Sequence, residues 1–295
     1  MELKEQYIGK DVVKHFAGLI NDVPIQKQTI YVAGDDIFQT IKKYGLDKLI
    51  ESKIELISLF QLMPKEITQT FYAKIHSFAK TEKAIVTVDQ QSMTYKVNNI
   101  GLDDLQKQGF DIRHVKNILD AMIVASKKRR NKVLFITTGL EDKALVTAAG
   151  LAKAKTVGFR NFFVLQQHFN TPELINHYAS LTPAAGFILS IKTGINTVLN
   201  QYTGTPSIYG KSVIFSGYQP EEIMQSIFMV MDQFVSKQPK VKFQRAMKIP
   251  DENIARARWM LEEVFDTTPL TLPDGASIKN GKLIINEKYN SFEPT

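Results

Sequence analysis

The stretch IYVAGDDIFQTIKKYGL, residues 30–46, reads as a strand, a tight loop and a helix. In α/β proteins that junction is where ligands and chemistry sit. The same pattern recurs along the chain. Strand-like runs occur at TIYVA (29–33), IELISLF (54–60), AIVTV (84–88), DIRHV (111–115), KVLFITT (132–138), NFFVLQ (161–166), AGFILS (185–190) and SVIFSG (212–217). Most are continuous and apolar, as strands buried on both faces of a parallel sheet are, and most lead within a few residues into a helical pattern. Repeated βα units imply right-handed crossovers and an α/β fold of doubly wound parallel-sheet lobes.

A basic run at ASKKRRNK (125–132) separates the strands into two groups of four. The organisation expected from this is an N-terminal helix packing on a lobe (1–24), a first α/β lobe (25–125), a second (126–240), and a C-terminal helix and hairpin (241–295), with a cleft between the lobes. The hairpin is expected at SIKNGKLII, where Asn280-Gly281 suits a two-residue turn. In GYQPEEIMQSIFMVMDQF, Pro220 suits the first helical position and Glu221 and Glu222 favour the positive end of the dipole. The stripe Ile223, Met224, Ile227, Phe228, Met231, Phe234 and Val235 reads as a core face rather than a partner groove. In IPDENIARARWMLEEVF, Asp251 is placed to cap a helix.

The 295 residues are 44% hydrophobic, enough for one large domain or two modest ones, and carry a formal charge of +7. There is no cysteine, which excludes disulfides, thiolate catalysis and cysteine-ligated clusters. The first residues, MELKEQYIGKDVVKHF, lack the apolar run of a signal peptide, and no long apolar stretch suggests a membrane span. A cytoplasmic protein is the expectation. Lys127, Lys128, Arg129, Arg130 and Lys132, and more loosely Lys237, Lys240, Lys242, Arg245 and Lys248, are read as solvated charge. Neither run has the interleaved aromatics of single-strand readers, so nucleic-acid binding ranks last.

The candidate chemistry lies at strand ends. Asp35 and Asp36 after Gly34 can hold a divalent cation or act as acid and base, but the same residues make a turn and helix cap, the reading favoured here. Gly139 allows a close turn before Glu141 and Asp142, which again suit a helix start. His168 lies between a strand and a helix opened by Thr171 and Pro172, as a loop hydrogen-bonder or a catalytic group. Lys192, with the amides near Thr193 and Gly194, is the best anion candidate, although an exposed lysine beside a turn is the simpler reading. Gly217, between Ser216 and Tyr218, closes the set. The histidines show no metal-ligand spacing, so no metal is expected.

The order of these segments resembles the HypD family of hydrogenase maturation factors along nearly the whole chain. YGLDKLIESKIELI is similar to the segment after the family's first motif, and TTGLEDKALVTAAGL to its Gly-Phe-Glu-Thr-Thr region. VLQQHFNTPEL is similar to its His-containing loop, GFILSIKTGINTVL lies where it has Pro-Gly-His-Val, and VIFSGYQPEEIMQSI resembles its Gly-Phe-Glu-Pro helix start. The segment RWMLEEVFDTTPLTLPDGASIKNGKLIINEKYNSF resembles a later part of the family. The resemblance implies two similar α/β lobes plus a cluster-bearing region. It also implies a role in assembling the iron–dicyanide–carbonyl group of nickel–iron hydrogenase, with a small chaperone partner, paired cysteines and a four-iron cluster.

The departures fall where that chemistry belongs. The family's first motif, one cysteine and two histidines, aligns with Gly34-Asp35-Asp36-Ile37-Phe38-Gln39. Its Gly-Pro-Gly-Cys-Pro-Val-Cys motif aligns with Leu59-Phe60-Gln61-Leu62-Met63-Pro64-Lys65, and Pro-Gly-His with Ser190-Ile191-Lys192. The C-terminal cluster-binding extension is expected to be missing, since the sequence stops at Thr295. Gly139, Glu141, His168, Gly186, Gly217 and Pro220 are retained, but most other Gly, His and Pro residues of the motifs are gone, as in natural divergence. The expectation is a cysteine-free relative with no iron–sulfur cluster and no cofactor. It would act as a non-redox accessory or scaffold with a protein partner, a small chaperone-like protein being one candidate. The alternative is an enzyme or small-molecule binder using Asp35, Asp36, Glu141, His168 and Lys192 in the cleft.

Overall fold

The computed structural model describes residues 2–62, 65–81, 83–89, 96–97, 100–196, 199–246, 251–272 and 274–294. The chain begins with α1 (Glu2–Asn21), β1 (Gln28–Ala33), α2 (Asp35–Tyr44) and β2 (Ile54–Ser58). It continues through α3 (Lys65–Ala79), β3 (Ala84–Val88), the short β4 (Lys96–Val97) and β5 (Ile100–Gly101), α4 (Leu102–Lys107) and β6 (Ile112–His114). Then come α5 (Ile118–Lys127), β7 (Lys132–Gly139), α6 (Glu141–Val157) and β8 (Phe162–Phe169). The rest is α7 (Thr171–Leu181), β9 (Gly186–Ser190), α8 (Ile191–Asn196), α9 (Gly204–Tyr209), β10 (Ser212–Ser216), α10 (Pro220–Val235) and β11 (Val241–Phe243), then α11 (Asp251–Val264), β12 (Phe265–Thr271) and β13 (Ser277–Ile285). All eight runs read from the sequence are strands.

The lobes are not consecutive halves. One unit comprises Met1–Leu62 and Thr171–Arg258, and the other Met63–Asn170 and Trp259–Thr295. The first carries a parallel sheet ordered β11-β10-β9-β1-β2. The second carries β8-β7-β3-β6, all parallel, extended by antiparallel β13 and β12. The expected boundaries at 25–125 and 126–240 therefore differ from the structure. β1 and β2 take β9 as their next neighbour, so the second unit is inserted after β2, whereas the sequence reading joined strands that follow one another.

Counted by order within its own unit, the first sheet reads 2-1-3-4-5 and the parallel part of the second reads 2-1-3-4, the same arrangement over four strands. In the first unit the strand order reverses between β1 and β9; in the second it reverses between β3 and β7. Those two points are where crevices open at the carboxyl ends of strands.

Alternate strand residues serve opposite faces. In the first unit, Ile30, Val32, Ile188 and Ile214 pack with Val13, Ala17 and Ile20 of α1, Ile37 and Ile41 of α2, and Ile223, Met224, Ile227 and Met231 of α10. The methionine stripe is thus core, as expected, except for Val235 at its end, which is exposed. On the other face Tyr31 stacks on Phe187 and meets Tyr178 of α7. In the second unit Val133, Phe135 and Val164 pack on α5 and α6, while Val86, Val88, Leu134 and Ile136 face α3 and α4.

The C-terminal hairpin is real, but its turn is not at Asn280-Gly281. Asn280 and Gly281 lie inside β13, where the register with β12 shifts between Thr268 and Leu270. They form a bulge. The turn closes between Leu272 and Ala276, with Gly275 at φ +85°. Both dipeptides, Asn-Gly and Asp274-Gly275, carry turn chemistry, and the second one makes the turn. Among the described residues no helix is long and apolar enough to cross a membrane.

Candidate functional site

At the crevice of the first unit, β1 ends at Ala33 and Gly34 forms the N-cap of α2. A Cβ on Gly34 would lie 3.3 Å from the Ser190 backbone nitrogen, so the position needs a small residue where β1 runs beside β9. Asp35 and Asp36 do not cap the helix, contrary to the sequence reading; they are its first two residues, and no side chain makes a cap hydrogen bond. Their charge still favours the helix end. Asp36 reaches Lys192 from the neighbouring strand end, Oδ2 to Nζ 3.4 Å, with both side chains more than half exposed. The Lys192 ammonium also lies 4.6 Å from the centre of the Tyr218 ring. Beneath it, the Ser190 and Tyr218 hydroxyls are 2.6 Å apart, and Ser190 Oγ accepts from the Lys192 amide at 3.1 Å. Carboxylate, ammonium and two hydroxyls thus meet across three strand ends.

Gly194 lies within α8, a helix of six residues, so the proposed cradle of amides for an anion is a single short turn rather than a helix start of any length. Gly217 has a steric role. The Glu222 carboxylate occupies the space that a side chain at 217 would fill. Glu222 accepts from the Gln219 amide at 3.1 Å and faces Arg245 at 3.3 Å, completing the cap of α10 with Pro220 in its first turn. Gly186 is likewise explained by packing: a Cβ there would lie 2.7 Å from the Ser212 carbonyl.

At the crevice of the second unit the buried Asp89 follows β3. Its carboxylate accepts from Thr137 Oγ1 at 2.9 Å and lies 3.5 Å from Lys143 Nζ. Gly139 ends β7 at φ +146°, where a Cβ would crowd the Lys143 side chain at 2.8 Å. Glu141 begins α6; its side chain and that of Asp142 lie outside the described residues. Met63 and Pro64 of the second aligned motif also lie outside them.

His168 is not in a loop. It is fully buried inside β8, paired in register with Gly139. Its ring Nε2 is 3.0 Å from Thr147 Oγ1, which donates its own proton to the Lys143 carbonyl at 2.9 Å. Nδ1 is buried without a hydrogen-bond partner. Burial, and then the Lys143 cation, push the imidazole down to about 3, against the opposing Gly139 backbone and Asp89 carboxylate. The ring stays neutral at ordinary pH and is closed to solvent, which suits a structural role and not a general base.

Asp36 and Lys192 are therefore brought together, His168 and Gly139 are neighbours within the other unit, and Gly34 and Gly217 are spacers. Sequence reasoning missed Asp89, Lys143 and Thr147. Asp89 directly follows the apolar run AIVTV and Lys143 lies one helical turn past Gly139, so both carried the strand-end signal that marked the other candidates. Among the described residues no group of three or more histidine, aspartate or glutamate side chains is arranged to hold a metal ion.

The profile of the HypD family, described as the hydrogenase formation hypA family, matches residues 13–295. The chain belongs to the HypD family. Among its relatives, a protein of Methanocaldococcus jannaschii named for hydrogenase expression and formation is 26% identical over 263 residues, 86% of this chain and 71% of the relative. The hydrogenase maturation factor HypD of Rhodobacter capsulatus is 26% identical over 235 residues, covering 78% of this chain and 62% of that one. HypD of Cupriavidus necator is 29% identical over 169 residues, covering 55% and 45%. This chain thus spans less than two thirds of the two bacterial factors. Where the HypD resemblance places a cysteine and two histidines, this chain has the N-cap and first turn of α2; where it places Pro-Gly-His, it has the Ser190–Lys192 corner.

Proposed function

We propose that this HypD-family chain serves hydrogenase maturation in the cytoplasm as a non-redox accessory subunit that binds a protein partner, without itself carrying thiolate-based iron–cyanide assembly. The observation that carries the reading is a contrast. The family match runs from residue 13 to residue 295, yet the chain contains no cysteine. Iron–sulfur clusters are held by thiolates, and thiolate is also the nucleophile and iron ligand that the family resemblance implies. The first-motif position offers a glycine, two carboxylates, two apolar residues and a glutamine, which do not fit such a cluster.

A second reading draws on one specific feature. Asp36, Lys192, Ser190 and Tyr218 gather at a strand-order reversal, a common place for small ligands. His168 no longer supports it. Native mass spectrometry of the tagged chain, purified gently from its source cells, separates the two. A stoichiometric protein complex supports the accessory subunit; a small bound mass without a protein partner favours the ligand site.

A further inference from the structure

We propose that the groove between β6 and α5 takes an extended acidic segment of a partner protein, laid along β6 as an added strand. This deepens the partner-binding reading above and rests on it. The groove has a volume of roughly 760 Å³. His114, Val115 and Lys116 line one side; Asp120, Ile123 and Val124 of α5 line the other.

Three features point to that occupant. The first is backbone. Among the described residues β6 is the outermost strand of its sheet and pairs only with β3. Val86 donates to the Asp111 carbonyl and Val115 to the Val88 carbonyl, so the odd-numbered residues face β3 and Ile112 and His114 face outward. The Ile112 amide is turned onto the Phe110 carbonyl and its own carbonyl accepts from Gln106. His114, which lines the groove, is the next residue with its N–H and C=O on the outer edge. An edge beside a helix is the geometry of strand addition, in which main-chain bonds give affinity and alternate side chains give specificity.

The second feature is apolar surface. Ile123 is 51% exposed in the groove wall, and Leu119, one turn earlier, is 43% exposed. Val115 and Val124 continue this wall down into the core of the unit. An aliphatic residue of the incoming strand would cover them.

The third is charge. Lys127 follows Ile123 by four residues and Val124 by three, which places it on the same helix face. Lys128, Arg129 and Arg130 come next, all exposed, and none of the four forms an ion pair among the described residues. Lys116 stands at the other end. Among the described lining residues the one carboxylate, Asp120, accepts from the Lys116 amide at 3.1 Å. An acidic strand complements this surface. A nucleic acid would use the cations and leave the aliphatic wall uncovered.

The test uses the full chain and the acetylated, amidated peptide Ser-Glu-Val-Glu-Val-Asp-Glu-Ser, fluorescently labelled, with a counterpart in which every acid is lysine. The acidic peptide should bind, weaken with salt, and slow amide exchange at His114. Ile123→Asp should weaken binding roughly tenfold or more. Charge reversal of Lys127, Lys128, Arg129 and Arg130 to glutamate should do the same and flatten the salt dependence. All these side chains are exposed, and unchanged thermal unfolding confirms that the variants fold. Equal binding of the lysine peptide, no binding at all, or binding indifferent to Ile123→Asp overturns the proposal. So does self-association of the chain that Ile123→Asp abolishes, which would assign the groove to a second copy, or displacement of the peptide by a single-stranded oligonucleotide. A co-purifying protein that stays bound to the Ile123→Asp variant would overturn the groove and leave the accessory-subunit reading standing.

Discussion

Lowering the pH from 7 to 5 should destabilise the unit that contains His168, by an amount that follows from its burial. In the unfolded chain an imidazole titrates near 6.5; in the fold, burial and Lys143 hold His168 down to about 3. Below about pH 6.5 the unfolded state takes up a proton that the folded state refuses. The contribution is fully present above that pH and is lost as pH falls toward the folded value. Each pH unit is worth about 1.4 kcal/mol, so the loss between pH 7 and pH 5 is about 2 kcal/mol. The control is His168→Gln, which does not titrate and keeps a polar side chain to hydrogen-bond Thr147. It should be less stable than the parent at pH 7, but its stability should change less between pH 7 and 5, by about 2 kcal/mol. Urea unfolding at both pH values reads the difference, and amide exchange in β8 localises it, since the two units need not unfold together. Equal pH slopes for parent and variant would refute the reasoning. So would an imidazolium signal from His168 in nuclear magnetic resonance at pH 6.

Asp89→Ala should cost about 2–3 kcal/mol, because it strips Thr137 of its acceptor and leaves Lys143, with 29% of its side chain exposed, without the carboxylate at 3.5 Å; denaturant unfolding with Asp89→Asn beside it measures this. Gly217→Ala should expel the Glu222 carboxylate from the cap of α10 and cost about 1 kcal/mol. The double variant with Glu222→Ala should then be less destabilised than the sum of the two, measured in a double-mutant cycle. Lys192→Met should change stability by less than about 1 kcal/mol, since its pair with Asp36 is solvent-exposed; a larger loss in thermal unfolding would mean that the Ser190–Tyr218 corner depends on the ammonium.

The strands were legible because their apolar runs are local and continuous. Which strands share a sheet was not. The pairing of β1 with β9 joins residues 30–33 to residues 186–189, across an inserted unit, and no local pattern encodes it. The same long-range pairing brings Asp36 to Lys192, so the sequence offered the two residues but not their meeting. His168 was read as a loop residue because Gln166-Gln167-His168 is polar. β8 accommodates that polarity inside the fold: Gln166 donates to the Leu283 carbonyl and its side-chain oxygen accepts from the His168 amide. The Asn280-Gly281 signal was a true break in the ladder, used for a bulge because Asp274-Gly275 had already made the turn.

The central claim, a HypD fold without thiolate iron chemistry, is tested most directly by iron and sulfide analysis of the 295-residue chain after anaerobic purification and reconstitution with iron and sulfide. Iron should stay far below one cluster per chain, with no charge-transfer absorbance. A stoichiometric cluster that survives desalting would contradict it.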